Sequence, residues 1–309
     1  MRFDRLSVLF VMIFLTGCTA LQRRQDQTQP QPTQDGGPFT VEEPKAPPAP
    51  PPAPVMPKKI GIILGPGGAK AIAHAGVLKE LQKARIPIHS VIGLEWGALV
   101  GGLYAQRGQA HEMEWKLYKL EKQNLPGKGF MSSRLKPESI ASLREYLRDS
   151  FSRQDAAKTQ LEFSCPAQTV DVSDFRWLNR GELAGMVEKC MAFPPLFVSE
   201  RGLWAGAGAA NAAVDRLRAE GADFIIFVNV LNSGPLADLR QLPDSGASAI
   251  LWQEVRRDLR AASVRVNEWI EVDTAAVFLS DFTKRRELVA AGEKAGQTAA
   301  KIMANKYGF

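Results

Sequence analysis

The sequence predicts an α/β protein: a doubly wound, mainly parallel sheet flanked by helices, formed by residues 58–309. Three observations carry that expectation. Short apolar runs rich in β-branched residues, suited to strands buried on both faces, occur at Ile60–Leu64, Val91–Ile92 and Phe224–Val230. Stretches with apolar residues at helical spacing alternate with them. Glycine-bounded turns join strand to helix at Gly65–Gly68 and at Gly93–Gly97.

In order, Ile60–Leu64 is a strand, the cluster Gly65, Gly67 and Gly68 turns the chain, and Ala71, Ile72, Ala75, Val77, Leu78 and Leu81 mark a helix. Val91 and Ile92 form a second strand, and Ala98–Gln106 is a helix after the sharp turn. Gly108–Lys122 is a helix carrying Trp115, Leu117 and Tyr118, and Asn124–Ser133 is a Gly/Pro/Ser loop. Lys136–Ser150 is predicted helical, started by Pro137 and Glu138. Leu161–Val170 has strand character broken by Pro166, and Glu182–Met191 is a helix ended by Phe193-Pro194-Pro195. Leu203-Trp204-Ala205 is a short strand entering a Gly/Ala loop, followed by helix Ala210–Ala219 and strand Phe224–Val230. A long helix covers Ser248–Val266, short strands are expected at Trp269–Val272 and Ala276–Phe278, and Lys284–Ala304 closes the chain as a helix.

Two segments precede this region. Residues 1–17 read as an export signal: Arg2 and Arg5 give a positive start, and Leu6–Leu15 is an apolar run too short to span a bilayer. Leu15-Thr16-Gly17-Cys18 resembles the bacterial lipobox, which implies cleavage before Cys18, lipid on its thiol and amino end, and a membrane as partner. Thr19, in place of the aspartate that retains such proteins at the inner membrane, implies the outer membrane; the periplasmic face is the side expected for the domain, and no residue decides it. Residues 18–57 are a Gln-rich, then Pro-rich linker with too few apolar residues to fold.

The 309 residues carry a net charge of +6, and 45% are hydrophobic. The basic residues of Arg256–Arg265 and Lys284–Arg286 are mixed with acidic and apolar ones, so no nucleic-acid stripe is present. His74, His89 and His111 have no serine partner and read as structural or solvated, and no ligand cluster implies a metal or cofactor. Cys165 and Cys190 are free to pair if the protein is exported; their spacing leaves this open.

The chemistry turns on Gly93-Leu94-Glu95-Trp96-Gly97. A strand-to-helix turn flanked by glycines is how a nucleophile elbow, Gly-x-Ser-x-Gly, exposes its central residue. Here the central residue is Glu95. Both glycine turns also place backbone N–H groups at helix N-termini, which favours anions.

These residues resemble the patatin-like phospholipases, particularly their bacterial members. Leu64–Leu78 is similar to the family's oxyanion loop and first helix, Ile92–Ala105 to its elbow and second helix, and Phe193–Phe197 to its proline-rich segment. Trp204–Asp215 is similar to the Asp-Gly-Gly motif and the helix behind it. The resemblance implies a three-layer patatin-like fold and a serine–aspartate dyad that hydrolyses lipid acyl esters. Carried over residue by residue, the nucleophile position holds Glu95 and the aspartate position Ala205. The first oxyanion glycine is Pro66, which has no N–H; Gly67 and Gly68 survive, and the arginine position holds Lys70. Ala71 and Ala207 replace two further glycines of the motifs, and an Asp35-Gly36-Gly37 triplet in the linker is a coincidence of sequence.

Alanine accepts no proton, so Ala205 is no base. Attack of a carboxylate on an ester would give an anhydride, a poor exchange without a strong electrophile. The sequence therefore predicts an inactive enzyme relative that keeps the fold to bind a lipid or an envelope protein, with Glu95 filling the former oxyanion site. An active lipid acyl hydrolase with non-standard residues is the alternative, and an envelope spacer the third reading.

Overall fold

The computed structural model describes residues 59–121, 123, 125–126, 137–169, 171, 174–199, 202–231 and 245–309. The predicted signal, Cys18, the linker with its Asp-Gly-Gly triplet, and most of the loop 124–133 lie outside the described residues.

In chain order, β1 (Ile60–Leu64) leads through a short 3-10 helix (Gly68–Ile72) into α1 (Ala73–Lys83), then β2 (Ile88–Gly93), α2 (Trp96–Ala105) and α3 (Ala110–Tyr118). Next come β3 (Glu138–Ser139), α4 (Arg144–Phe151), β4 (Glu162–Gln168), β5 (Arg176–Leu178), α5 (Leu183–Met191), β6 (Phe197–Val198) and β7 (Trp204–Ala205). The chain ends with α6 (Ala210–Ala219), β8 (Phe224–Asn229), α7 (Ser245–Ser263), β9 (Glu268–Glu271) and α8 (Arg285–Tyr307).

Seven strands form one sheet in the order β5-β4-β2-β1-β8-β9, with β7 also on β4. The central pairs β4–β2, β2–β1, β1–β8 and β8–β9 are parallel. Both β5 and β7 run antiparallel to β4. Every residue of β1 and β8 is buried, as their uninterrupted apolar runs require in a sheet covered on both faces. The expected fold, a mainly parallel sheet flanked by helices, is the observed one.

The longest helix packing is α1 along α8. It depends on absent side chains: a Cβ at Gly76 would lie 2.0 Å from the Val289 carbonyl oxygen, and one at Gly292 would lie 1.9 Å from that of Ala73. Cys165 on β4 and Cys190 on α5 form a disulfide, Cα–Cα 6.1 Å, which settles what their spacing left open. Among the described residues no helix is long and apolar enough to cross a membrane.

Three local expectations are corrected. The helix expected over Lys136–Ser150 starts later, because Glu138–Ser139 pairs with Phe197–Val198 and the Ser139 hydroxyl caps the following turn through the Ala141 N–H at 3.2 Å. Pro166 lies inside β4 instead of breaking it. The pairing of β4 with β2 ends at Ser164, so no N–H is demanded of the proline on that side. The strand expected at Ala276–Phe278 is a pair of turns, with Val277 N–H bonded to Thr274 and Asp281 N–H to Phe278.

Candidate functional site

The elbow forms where β2 ends. The Leu94 N–H donates to the Leu64 carbonyl at 2.9 Å, Glu95 adopts φ 53° and ψ −123°, and α2 starts at Trp96. That conformation is costly for any residue with a side chain, on the order of 1–3 kcal/mol. Its flanking glycines are required by contact: a Cβ on Gly93 would sit 2.3 Å from Ala98 Cα, and one on Gly97 would sit 2.3 Å from the Leu64 carbonyl oxygen.

The glutamate carried into this position turns back onto the oxyanion loop. Its Oε2 accepts the Gly67 N–H at 3.0 Å and the Gly68 N–H at 2.9 Å. Gly68 supplies its N–H from a left-handed conformation, φ 54°. Pro66 adds no donor, and the Lys70 N–H closes the turn onto the Gly67 carbonyl at 3.0 Å. The Lys70 side chain is buried in this turn. The loop is held from behind by the Ala69 N–H, which donates to Leu279 at 2.7 Å.

Glu95 is fully buried. Burial pushes its pKa up to about 7, against the opposing pull of the Trp96, Gly67 and Gly68 N–H groups. The anion that the loop was expected to hold is thus a carboxyl titrating near neutrality. Either form offers Oε2 as acceptor, while Oε1 has no partner.

Among the described residues, aromatic side chains cover the elbow on the side of Trp96. The indole is fully buried, 4.5 Å from the Phe282 ring and 5.5 Å from that of Phe197, centroid to centroid. Leu196 closes on the loop itself, 2.5 Å from where a Gly68 Cβ would be. The proline-rich segment before Leu196 is pinned by the Trp252 Nε1–H, which donates to the Pro194 carbonyl at 3.1 Å.

Ala205 is buried at the end of β7 and donates its N–H to Ala192 at 2.8 Å; its methyl group brings no acid or base to the site. His74 is buried on α1, with Nε2 2.8 Å from the Gly65 carbonyl. A carbonyl only accepts, so Nε2 carries the proton, and burial lowers the pKa to about 4. It is a neutral brace for the loop. His89 accepts the Ile60 N–H at 3.1 Å through Nδ1, and His111 is exposed on α3.

Two contributors escaped the sequence reading. Phe282, which the resemblance matches with Asp281 before the final helix, seals the elbow from a loop far along the chain, a role no local pattern marks. Asp258 on α7 bonds the Ala210 N–H and the Asn211 side chain, the latter at 2.7 Å, filling the N-terminus of α6 just after β7. Its helical setting reads as an ordinary polar face, so only the fold reveals the role.

Comparison with known proteins agrees with this architecture. Lysophospholipase NTE1 of Coccidioides immitis is 29% identical over 181 residues, which is 56% of this chain and 12% of that protein. Lysophospholipase nte1 of Neurospora crassa is 29% identical over 183 residues, with the same shares. The chain therefore aligns with about an eighth of the length of these relatives. The crystal structure of VipD from Legionella pneumophila shares the fold, with TM-score 0.50 and 13% identity, over 81% of this chain and 67% of that one. The model of the family described as patatin-like phospholipase matches residues 62–220, a span that begins within β1 and holds the glycine loop, the elbow and Ala205. This chain belongs to the patatin-like phospholipase family.

Proposed function

We propose that this chain is a catalytically inactive member of its family: a lipid-anchored envelope protein on the periplasmic face of an outer membrane, keeping the fold to bind lipid or protein. The observation that carries the reading is the pair of hydrogen bonds from Gly67 and Gly68 to Glu95. A hydrolase needs such donors free to meet the charge that develops on a reacting carbonyl. Here a side chain of the protein already holds them, Pro66 cannot replace them, and Ala205 supplies no base. Removing triad members elsewhere leaves only about 10³–10⁴-fold catalysis over water, and that residue comes from binding and the oxyanion hole. In this arrangement the two surviving donors of that hole are taken by Glu95.

The Cys165–Cys190 disulfide supports export, since such bonds persist in oxidising compartments. It agrees with residues 1–17 as a lipoprotein signal and Cys18 as the lipidated residue.

The purified protein is expected neither to label with a fluorophosphonate probe nor to release fatty acid from phospholipid or lysophospholipid. The relatives named lysophospholipases favour the second reading, an active lipid acyl hydrolase with unorthodox residues. Turnover that disappears when Glu95 is changed would establish that reading in place of ours.

A further inference from the structure

Strands covered on both faces take apolar side chains throughout. Two buried serines depart from that rule, Ser90 in β2 and Ser164 in β4, at 2% and 5% exposure. The register puts them on one face of the sheet. Gly61 pairs with Ser90 and Ser90 with Glu162, so these three share a face, and Ser164, two residues past Glu162, joins them. Over β1 that face is covered by α6, where a Gly61 Cβ would lie 2.8 Å from the Leu217 side chain. Beside α6, over β2 and β4, it holds a cavity of about 420 Å³. This cavity lies toward the N-terminal ends of the strands, away from the elbow that follows Gly93.

Its polar groups divide into engaged and free. The charged ones are engaged. Lys59 Nζ, at the rim, lies 2.9 Å from Glu162 Oε2 and donates to the Glu220 carbonyl at 2.9 Å. The Glu220 carboxylate accepts from Arg216 Nε. Two ammonium or guanidinium groups thus face two carboxylates, and the charge balances within the site. The neutral groups are free. The Ser90 hydroxyl is buried at the floor without a partner, a costly state for a group that both donates and accepts. Among the described residues, the side chains of Ser164, Gln160 and Asn179, which line the same cavity, make no hydrogen bond either.

We infer that this cavity binds a neutral polyhydroxylated molecule, a saccharide unit. Two hydroxyls and two carboxamides offer donor and acceptor atoms together, the complement of adjacent hydroxyl groups on a sugar ring. Ser90 lies deepest, where a sugar hydroxyl or a water beneath it completes its bonding. A charged molecule finds each counter-charge already taken, and an apolar one buries polar side chains without partners. The volume falls in the range of small-molecule sites, roughly 300–1,000 Å³. The inference stands apart from the reading of the elbow, because it uses none of the elbow's residues and requires no turnover.

The test is saturation-transfer NMR on the full-length protein with glucose and N-acetylglucosamine. Glucuronate and protonated glucosamine are the charged counterparts. At least one neutral sugar is expected to bind, more tightly than either charged one, and to shift the backbone amides of residues 159–164. Gln160→Leu combined with Asn179→Leu changes two side chains that are not buried, so folding is spared, and should weaken binding about tenfold or more. Ser164→Ala should weaken it in the same direction. Thr298→Val, on α8, should leave it unchanged. Absence of binding by both neutral sugars would overturn the inference, as would equal binding of a charged one. So would binding that survives the double substitution, or amide shifts confined to other parts of the chain.

Discussion

Glu95 holds its proton to about pH 7 in the fold, against an ordinary value of 4.5. Between those values the folded chain binds more protons than the unfolded one, so this contribution is full below pH 4.5 and lost as pH rises through 7. The difference amounts to about 3 kcal/mol. His74 works the other way. Its pKa falls from 6.5 to about 4, so its contribution is full above pH 6.5 and lost as pH falls toward 4. The two oppose each other, and the measurement must isolate one. Denaturant titrations at pH 5 and pH 8 are expected to show Glu95→Gln losing about 2.5 kcal/mol less than the wild type across that interval. Parallel losses would show that the fold does not raise the carboxyl's pKa. The glutamate itself was legible in the sequence, because its position in the elbow is fixed by Gly93 and Gly97. Its protonation was not, because burial comes from Trp96, Phe197 and Phe282, which meet only after folding. A strained conformation at a residue with a side chain is itself informative. Glycine would occupy φ 53° at less cost, so the glutamate side chain, through its two N–H bonds, offsets the difference.

At the scale of elements, the parallel strands and the helices that follow them were readable from periodicity, because β1 and β8 must be apolar throughout and α6 apolar on one side. The short strands β3, β5 and β6 were not, although β7 was. The strand β5 is three residues and β6 two, too short to carry a period, and β3 looked helical because its pairing with β6 is a contact between distant segments. The contact between α1 and α8 was also hidden, since a glycine within a helix announces nothing about the neighbour it admits. Gly292→Ala is expected to destabilise the protein by about 3 kcal/mol or more, since a Cβ there meets backbone and not a movable side chain. Equilibrium urea unfolding measures it. Gly246→Ala, at an α7 glycine with open space around it, is the control, and stability there should change little or rise slightly.

On the scale of the whole molecule, the disulfide joins the sheet at β4 to helix α5 across 25 residues. Closing a loop of that length stabilises by about 3 kcal/mol in the chain-entropy account. Replacing Cys165 and Cys190 by serine together should lower stability by that order, read by denaturant midpoint against the oxidised wild type. The sequence showed both cysteines but not their meeting, which depends on α5 folding back over β4. The same bond makes the protein a counter of its own maturation. Of three cysteines in the chain, two are consumed by each other. Cys18 alone then decides whether a maleimide mass tag finds anything on denatured, unreduced material. A chain still carrying its leader would take one tag; one acylated at that sulfur would take none, and two only after a reductant is added.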